Sequence, residues 1–215
     1  MKKEDKIYVK IVDYKSGNKN FDVAAFYHGT QLQLVVYMKE ALHRVEKENP
    51  GKEAVGAAML YYHMADPLIE GSAGISEEAV NQKVREALRM KGIINSDGDI
   101  LEALDTSKTQ KSDCVPLDYD SKGGLRASVN AYDKEQMKLL SDYASYCLKD
   151  MGVRIKKGEI PVNPYMSGGV DSCTYCAYQD VCCFDEIRPG HKKRSLEKDK
   201  DMDYLEKMKE KLLKE

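Results

Sequence analysis

From Lys6 onward apolar side chains fall at every second position. Ile7, Val9 and Ile11 share one side of the chain, while Tyr8, Val12 and Tyr14 take the other. This alternation predicts a strand over 6–14 with the odd-numbered positions facing the core. After the turn-forming SGNKN, Phe21 and Asp22 introduce helical sequence, with Asp22 as a capping residue. A helix is expected from about 30 to 47, its apolar stripe formed by Leu34, Met38, Leu42 and Val45 and its end marked by Pro50-Gly51. The run 54–66, AVGAAMLYYHMAD, reads as a buried strand, although its alanines also suit a helix. A loop over 67–75 and an amphipathic helix over 76–91 follow.

The segment 92–130 is polar and broken by Gly and Asp, without a period of its own, and is read as an insertion. Helical spacing resumes over 133–151 through Met137, Leu140, Ala144, Leu148 and Met151, and Lys156-Lys157-Gly158 closes it. An extended IPVNPY, a cysteine-rich run and a charged helix over 195–215 complete the chain. The expected division is one domain over 1–190 and a separate charged helix over 191–215, taken as a solvated face open to a partner.

Composition narrows the class. Of 215 residues, 42% are hydrophobic and 33% charged, with a net charge of -2, so a large core can form and no global basic field points to nucleic acid. No apolar run approaches the roughly 18 residues of a membrane helix, and the expected compartment is the cytoplasm.

The first strand ends in IVDYKSG, where Asp13 and Lys15 extend the face of Ile7, Val9 and Ile11. Charges on a buried face must pair or bind, because desolvating an isolated one is costly. One reading is a strand-end ion pair. The other is a divalent-metal site with Asp13 as ligand and Lys15 beside the attacked phosphate. In the next helix Gln33 and Tyr37 stand four apart and share a face. DYKSG followed by QLQLxxY resembles the RecB-like branch of the PD-(D/E)XK nuclease superfamily. The resemblance implies an α/β fold with a mixed sheet flanked by helices, a Mg2+ ion at Asp13, and catalytic roles for Asp13, Lys15, Gln33 and Tyr37 on DNA.

Four of six cysteines crowd near the end, in CTYCAYQDVCC. Cys173, Cys176 and Cys182 are spaced to face one soft metal centre, zinc or an iron-sulfur cluster, with Tyr175, Tyr178 and Phe184 expected to shield it. Together with GEIPVNPY the run is similar to the C-terminal iron-sulfur motif in the B subunit of AddAB-type helicase-nucleases. That resemblance implies a [4Fe-4S] cluster on these three cysteines and one upstream cysteine, a heterodimer with the helicase-nuclease A subunit, and a role in double-strand break repair.

The family pattern also places a cysteine, a helical histidine and an acidic residue ahead of the DYK strand. Only twelve residues precede Asp13, so the resemblance implies an N-terminally truncated nuclease domain. Cys183, Cys147, Cys114 and His191 remain open as a fourth cluster ligand, with Cys147 more readily a core residue. His28, His43 and His63 have no ligand-like spacing. Two other functions stay in view: a non-catalytic, cluster-stapled scaffold, and a CRISPR-associated RecB-like nuclease, whose elements are packed more tightly than the 136 positions separating Tyr37 from Cys173 here.

Overall fold

A computed structural model describes residues 2–3, 5–71, 74–107, 109–196 and 201–214. Residues 72 and 73 of the expected loop, 108 of the segment 92–130, and 197–200 and 215 of the tail lie outside the described residues. The chain forms two compact units, one of residues 1–22 and 31–142, the other of 23–30 and 143–215.

The first unit is built on a five-stranded sheet, in the order β1 (Lys2–Lys3), β2 (Lys6–Lys15), β3 (Glu53–His63), β4 (Lys91–Asn95) and β5 (Ala131–Tyr132). β2 runs parallel to β3 and β4 parallel to β5, while the other two pairings are antiparallel, so the sheet is mixed. Between β2 and β3 the chain passes through α1 (Val23–Tyr27), which belongs to the second unit, and α2 (Gln33–Glu48). α2 buries Leu34, Val35 and Met38 and packs on β2 and β3.

Both faces of the sheet are covered. A Cβ on Gly56 would come within 3.3 Å of the Met38 sulfur, so the glycine is what lets α2 lie so close. α3 (Glu77–Leu88), which buries no side chain, precedes β4, and behind the sheet α4 (Gly98–Leu104) sets Ile100 against Tyr8 and Ala57. Leu101, Val115 and Leu117 pack with Ala58, Leu60 and Ile94, and Val12 joins them. The expectation that only the odd face of β2 is core is therefore corrected: on the even face Tyr8 is 5% exposed and Val12 is half-buried, while Tyr14 at the strand end is exposed. A one-residue bulge at Ala57 shifts β3 against β2, leaving the alternation of β2 itself intact.

The segment 92–130 supplies an interior strand. Ile93 and Ile94 of β4 are completely buried, and Arg89 donates to the carbonyls of Val115 and Leu117, tying the following loop to the sheet. Ser76 caps α3, its Oγ accepting from the Ala79 amide at 3.3 Å.

α5 (Lys134–Lys156) spans both units. Asp133 and Gln136 cap it reciprocally, each side chain accepting from the other's amide. Gly158, at φ +72°, ends it: its amide donates to Ile155, and that of Glu159 to Arg154. Leu140, Tyr143, Ala144 and Cys147 form the buried stripe, whereas Leu148 and Met151, expected on it, are largely exposed.

In the second unit, a small sheet of β6 (Tyr165–Ser167), β7 (Val170–Asp171) and β8 (Arg194–Ser195) brackets the cysteine run, which contains α6 (Gln179–Cys182). The terminal helix α7 (Asp201–Leu213) packs on α1 and buries Tyr204, Leu205 and Met208, which corrects the picture of a solvated helix. Its Lys211 ammonium sits 4.1 Å from the centre of the Tyr27 ring and donates to the Tyr143 hydroxyl at 3.2 Å. Tyr143 in turn donates to the Tyr27 carbonyl at 2.9 Å, and burial pushes its phenol well above the ordinary range. Replacing Lys211 with Met is expected to lower stability by about 1 kcal/mol, the scale of a partly desolvated cation–π contact. Urea unfolding beside Lys214→Met, which has no ring contact to lose, checks this.

Candidate active site and cysteine loop

Parallel pairing of β2 with β3 brings both strand ends to one edge of the sheet, and α2 begins beside them. Asp13 and Lys15 project toward α2. The Lys15 ammonium lies 2.9 Å from Asp13 Oδ2 and donates to Gln33 Oε1 at 2.9 Å. Gln33 occupies the first position of α2 and donates through Nε2 to the Tyr37 hydroxyl, one turn on, at 2.9 Å. Asp13, Lys15, Gln33 and Tyr37 thus form one continuous polar chain from a half-buried carboxylate to a phenol that is 49% exposed. The Asp13 carboxylate, at hydrogen-bonding distance, raises Lys15 above its ordinary pKa against an opposing pull from desolvation.

Two residues without a sequence signal belong to this site. Tyr61 sits opposite Asp13 in the β2–β3 register, 4% exposed, with its ring 6.0 Å from the Lys15 ammonium. Gln31 holds it: Nε2 donates to the Tyr61 hydroxyl at 3.2 Å and to the Asn20 carbonyl at 2.8 Å, while Oε1 accepts from the Asp22 amide at 2.8 Å. Burial, opposed by the Gln31 hydrogen bond, raises the Tyr61 phenol. Register alone was the available signal, because paired residues of parallel neighbours share a face. His63 approaches the Ser16 carbonyl at 3.0 Å through Nε2, a satisfied position at the strand end.

Asp13 Oδ2 is the atom that bears on a metal. It is buried, and the nearby ammonium meets it outside hydrogen-bond geometry, so it has no hydrogen-bond donor. A hard oxygen left this way fits a divalent cation such as Mg2+. It is a single ligand, however: among the described residues no three His, Cys, Asp or Glu side chains are arranged to hold one ion.

In the second unit, Cys173, Cys176 and Cys182 line one cavity of about 370 Å³ together with Phe184, Asp171 and Lys193. All three are free thiols. Burial, with Asp171 adding to it, raises Cys173. The donor set suits a thiolate-bound centre. Among the described residues, however, no three His, Cys, Asp or Glu side chains, these cysteines included, are arranged to hold one metal ion.

Of the expected shield only Phe184 faces the cavity. Tyr175 is 98% and Tyr178 72% exposed, so their shielding role is corrected. Cys183 takes a left-handed φ of 52° and points its sulfur at the Asp180 carbonyl. Cys147 is buried and raised by that burial; Cys114 belongs to the first unit. His191 stacks on Phe184, and its Nδ1 accepts from the Asp185 amide at 3.2 Å.

A mixed sheet with an Asp-x-Lys strand end, answered by a Gln-x3-Tyr helix, is the arrangement that the resemblance to PD-(D/E)XK nucleases implies. Residues 1–183 match the PD-(D/E)XK nuclease superfamily, and the chain belongs to it. It is similar to the B subunit of the ATP-dependent helicase/deoxyribonuclease of Acetivibrio thermocellus, 34% identical over 185 residues, covering 86% of this chain and 16% of that protein. Similarity to the same subunit of Clostridium kluyveri is 32% over 201 residues, covering 93% and 17%, and to that of Ruminiclostridium cellulolyticum 31% over 210, covering 98% and 18%. The chain thus spans about a sixth of the length of the curated relatives it matches.

Proposed function

We propose that this chain carries the nuclease site of a helicase-nuclease B subunit, cutting DNA phosphodiester bonds in double-strand break repair. Its heterodimer partner is the helicase-nuclease A subunit, and its compartment is the cytoplasm. The observation that carries the reading is the Lys15 ammonium, held at once by Asp13 and Gln33 at 2.9 Å each. A divalent ion such as Mg2+ supplies Lewis-acid activation of water and phosphate in chemistry of this kind. Asp13 offers it Oδ2. Lys15 stabilises negative charge building on the attacked phosphate, and Gln33 fixes the direction of that ammonium. Tyr37, exposed at the end of the chain of hydrogen bonds, contacts the DNA. Cys173, Cys176 and Cys182 hold a [4Fe-4S] cluster with a structural role. No described helix is long and apolar enough to cross a membrane.

The test uses the full-length protein with its partner, incubated with linear duplex DNA. Acid-soluble nucleotides are expected with Mg2+ and none after chelation. Metal-independent cleavage would remove the role given to Asp13. Anaerobically purified protein is expected to be brown, with one cluster's worth of iron and sulfide; a colourless protein with stoichiometric zinc would replace the cluster by a zinc site.

A further inference from the structure

The three thiols lie in a loop whose two ends are far apart in sequence, and one side chain joins them. Lys193 stands immediately before β8. Its ammonium donates to Asp171 Oδ2 at 2.8 Å, at the end of β7, and to Glu186 Oε2 at 3.0 Å, on the outgoing arm of the loop. The lysine side chain is only 14% exposed, and it lines the cavity with Cys173, Cys176 and Cys182. Asp171 is engaged on its other oxygen as well, where Oδ1 accepts from the Cys173 amide at 2.9 Å and sets the turn that presents the first thiol.

These contacts sit on a backbone frame. The β6–β7 hairpin turns through Gly168 and Gly169, both at positive φ, and β8 pairs with β6, the Arg194 amide donating to Pro164 and that of Leu196 to Met166. The hydrogen bonds of Lys193 therefore link three places, the hairpin, the exit arm and the closing strand, and none of them is a thiol. The Asp171 carboxylate is partly buried and that of Glu186 is 53% exposed, so the two ion pairs add little net stability, and their effect is on the geometry of the loop.

We infer that Lys193, with Asp171 and Glu186, is a latch that holds the cysteine loop closed before any metal centre is present, so that the three thiols are already gathered around one cavity when iron arrives. The latch is a positioning device and touches no substrate. Its action on a cluster rests on the reading of the cysteines given above; its action on the metal-free loop does not. Once a centre is bound, the same contacts resist the opening through which it would be lost, as outer-shell partners of metal ligands commonly do.

The experiment compares the full chain with Lys193→Met, which keeps the stem and removes the ammonium, and with Lys193→Arg, which can still bridge two carboxylates. Metal-free protein is followed by hydrogen exchange over 165–196. In the Met variant the Cys173 and Leu196 amides are expected to lose protection while the sheet of the first unit keeps its own, and the Arg variant is expected to restore it. Unchanged protection in Lys193→Met overturns the latch. Each protein is then loaded anaerobically with ferrous iron and sulfide and challenged with an iron chelator. Iron release is expected about tenfold faster in the Met variant and near normal in the Arg variant; release at the unaltered rate also overturns it. Should the unaltered chain take up no iron, the cluster reading fails, and the latch is decided by the exchange data alone.

Discussion

Lys15→Ala in the full-length protein is expected to reduce DNA cleavage by at least about 10²-fold while leaving divalent-metal binding intact. Removing one preorganised cationic or hydrogen-bonding group from a site that stabilises developing charge typically costs about 10²–10³ in rate, and Lys15 is the cation nearest the carboxylate that offers an oxygen to the metal. Its side chain is 30% exposed, so the deletion opens no core cavity, and Leu34, Val35 and Met38 of α2 remain buried. Metal binding separates the two roles. Lys15 competes with a cation for Asp13 Oδ2, so manganese titration of Lys15→Ala should give equal or tighter binding, whereas Asp13→Ala should lose both metal and cleavage. Gln33→Ala is expected to cleave at a rate between those of the unaltered protein and Lys15→Ala, because Lys15 keeps its charge and loses one of its two anchors. Wild-type cleavage in Lys15→Ala would mean that the lysine is only a strand-end ion pair.

The meeting of these four side chains was legible through the resemblance that DYKSG and QLQLxxY carry, since spacing alone left a strand-end ion pair and a solvated helix face open. Asp13 and Lys15 are two apart on a strand, Gln33 and Tyr37 four apart on a helix, and a parallel β2–β3 crossover through α2 is enough to bring them together. Gln31 and Tyr61 were not legible, because their meeting depends on the register between β2 and β3 and on a turn, neither of which has a local signature. The strand β4 escaped for a different reason. KGIIN is five residues long with polar flanks, and its two isoleucines carry no period that separates strand from helix. The terminal helix misled by composition: seven of its thirteen residues are charged, yet Tyr204, Leu205 and Met208 at i, i+1 and i+4 make one narrow apolar stripe that packs on α1. In the cysteine loop, spacing foresaw the shared cavity but not the side-chain directions, and two of the three aromatics point outward.

Gly92→Ala is expected to prevent stable folding, although the residue is remote in sequence from every candidate site residue. Gly92 lies in β4 at φ +146°, a backbone conformation that side chains with a Cβ rarely adopt, and pairs with Leu60 of β3. A Cβ there would stand 2.2 Å from the Met59 carbonyl oxygen and 3.0 Å from the Leu60 Cα. Both obstacles are backbone, and both belong to the strand that carries Tyr61, so no side-chain rotation relieves them. The strand would have to move. Ile93 and Ile94, next in the chain, are completely buried on opposite faces of the strand, Ile94 against Leu101 of α4, and any displacement of β4 pulls them out of close-packed contact. Backbone strain of about 1–3 kcal/mol adds to that loss, and the sum of at least about 4 kcal/mol approaches the whole stability of an ordinary domain. Urea unfolding should show the transition shifted into the range where the native state is already partly depleted, or the variant should be recovered insoluble. Gly98→Ala is the matching control: it opens α4, has no atom within 4 Å of the added Cβ, and should be neutral or slightly stabilising. Equal stability of Gly92→Ala and Gly98→Ala would show that β4 can yield, and the close approach of β3 and β4 would then not be what holds Tyr61 opposite Asp13.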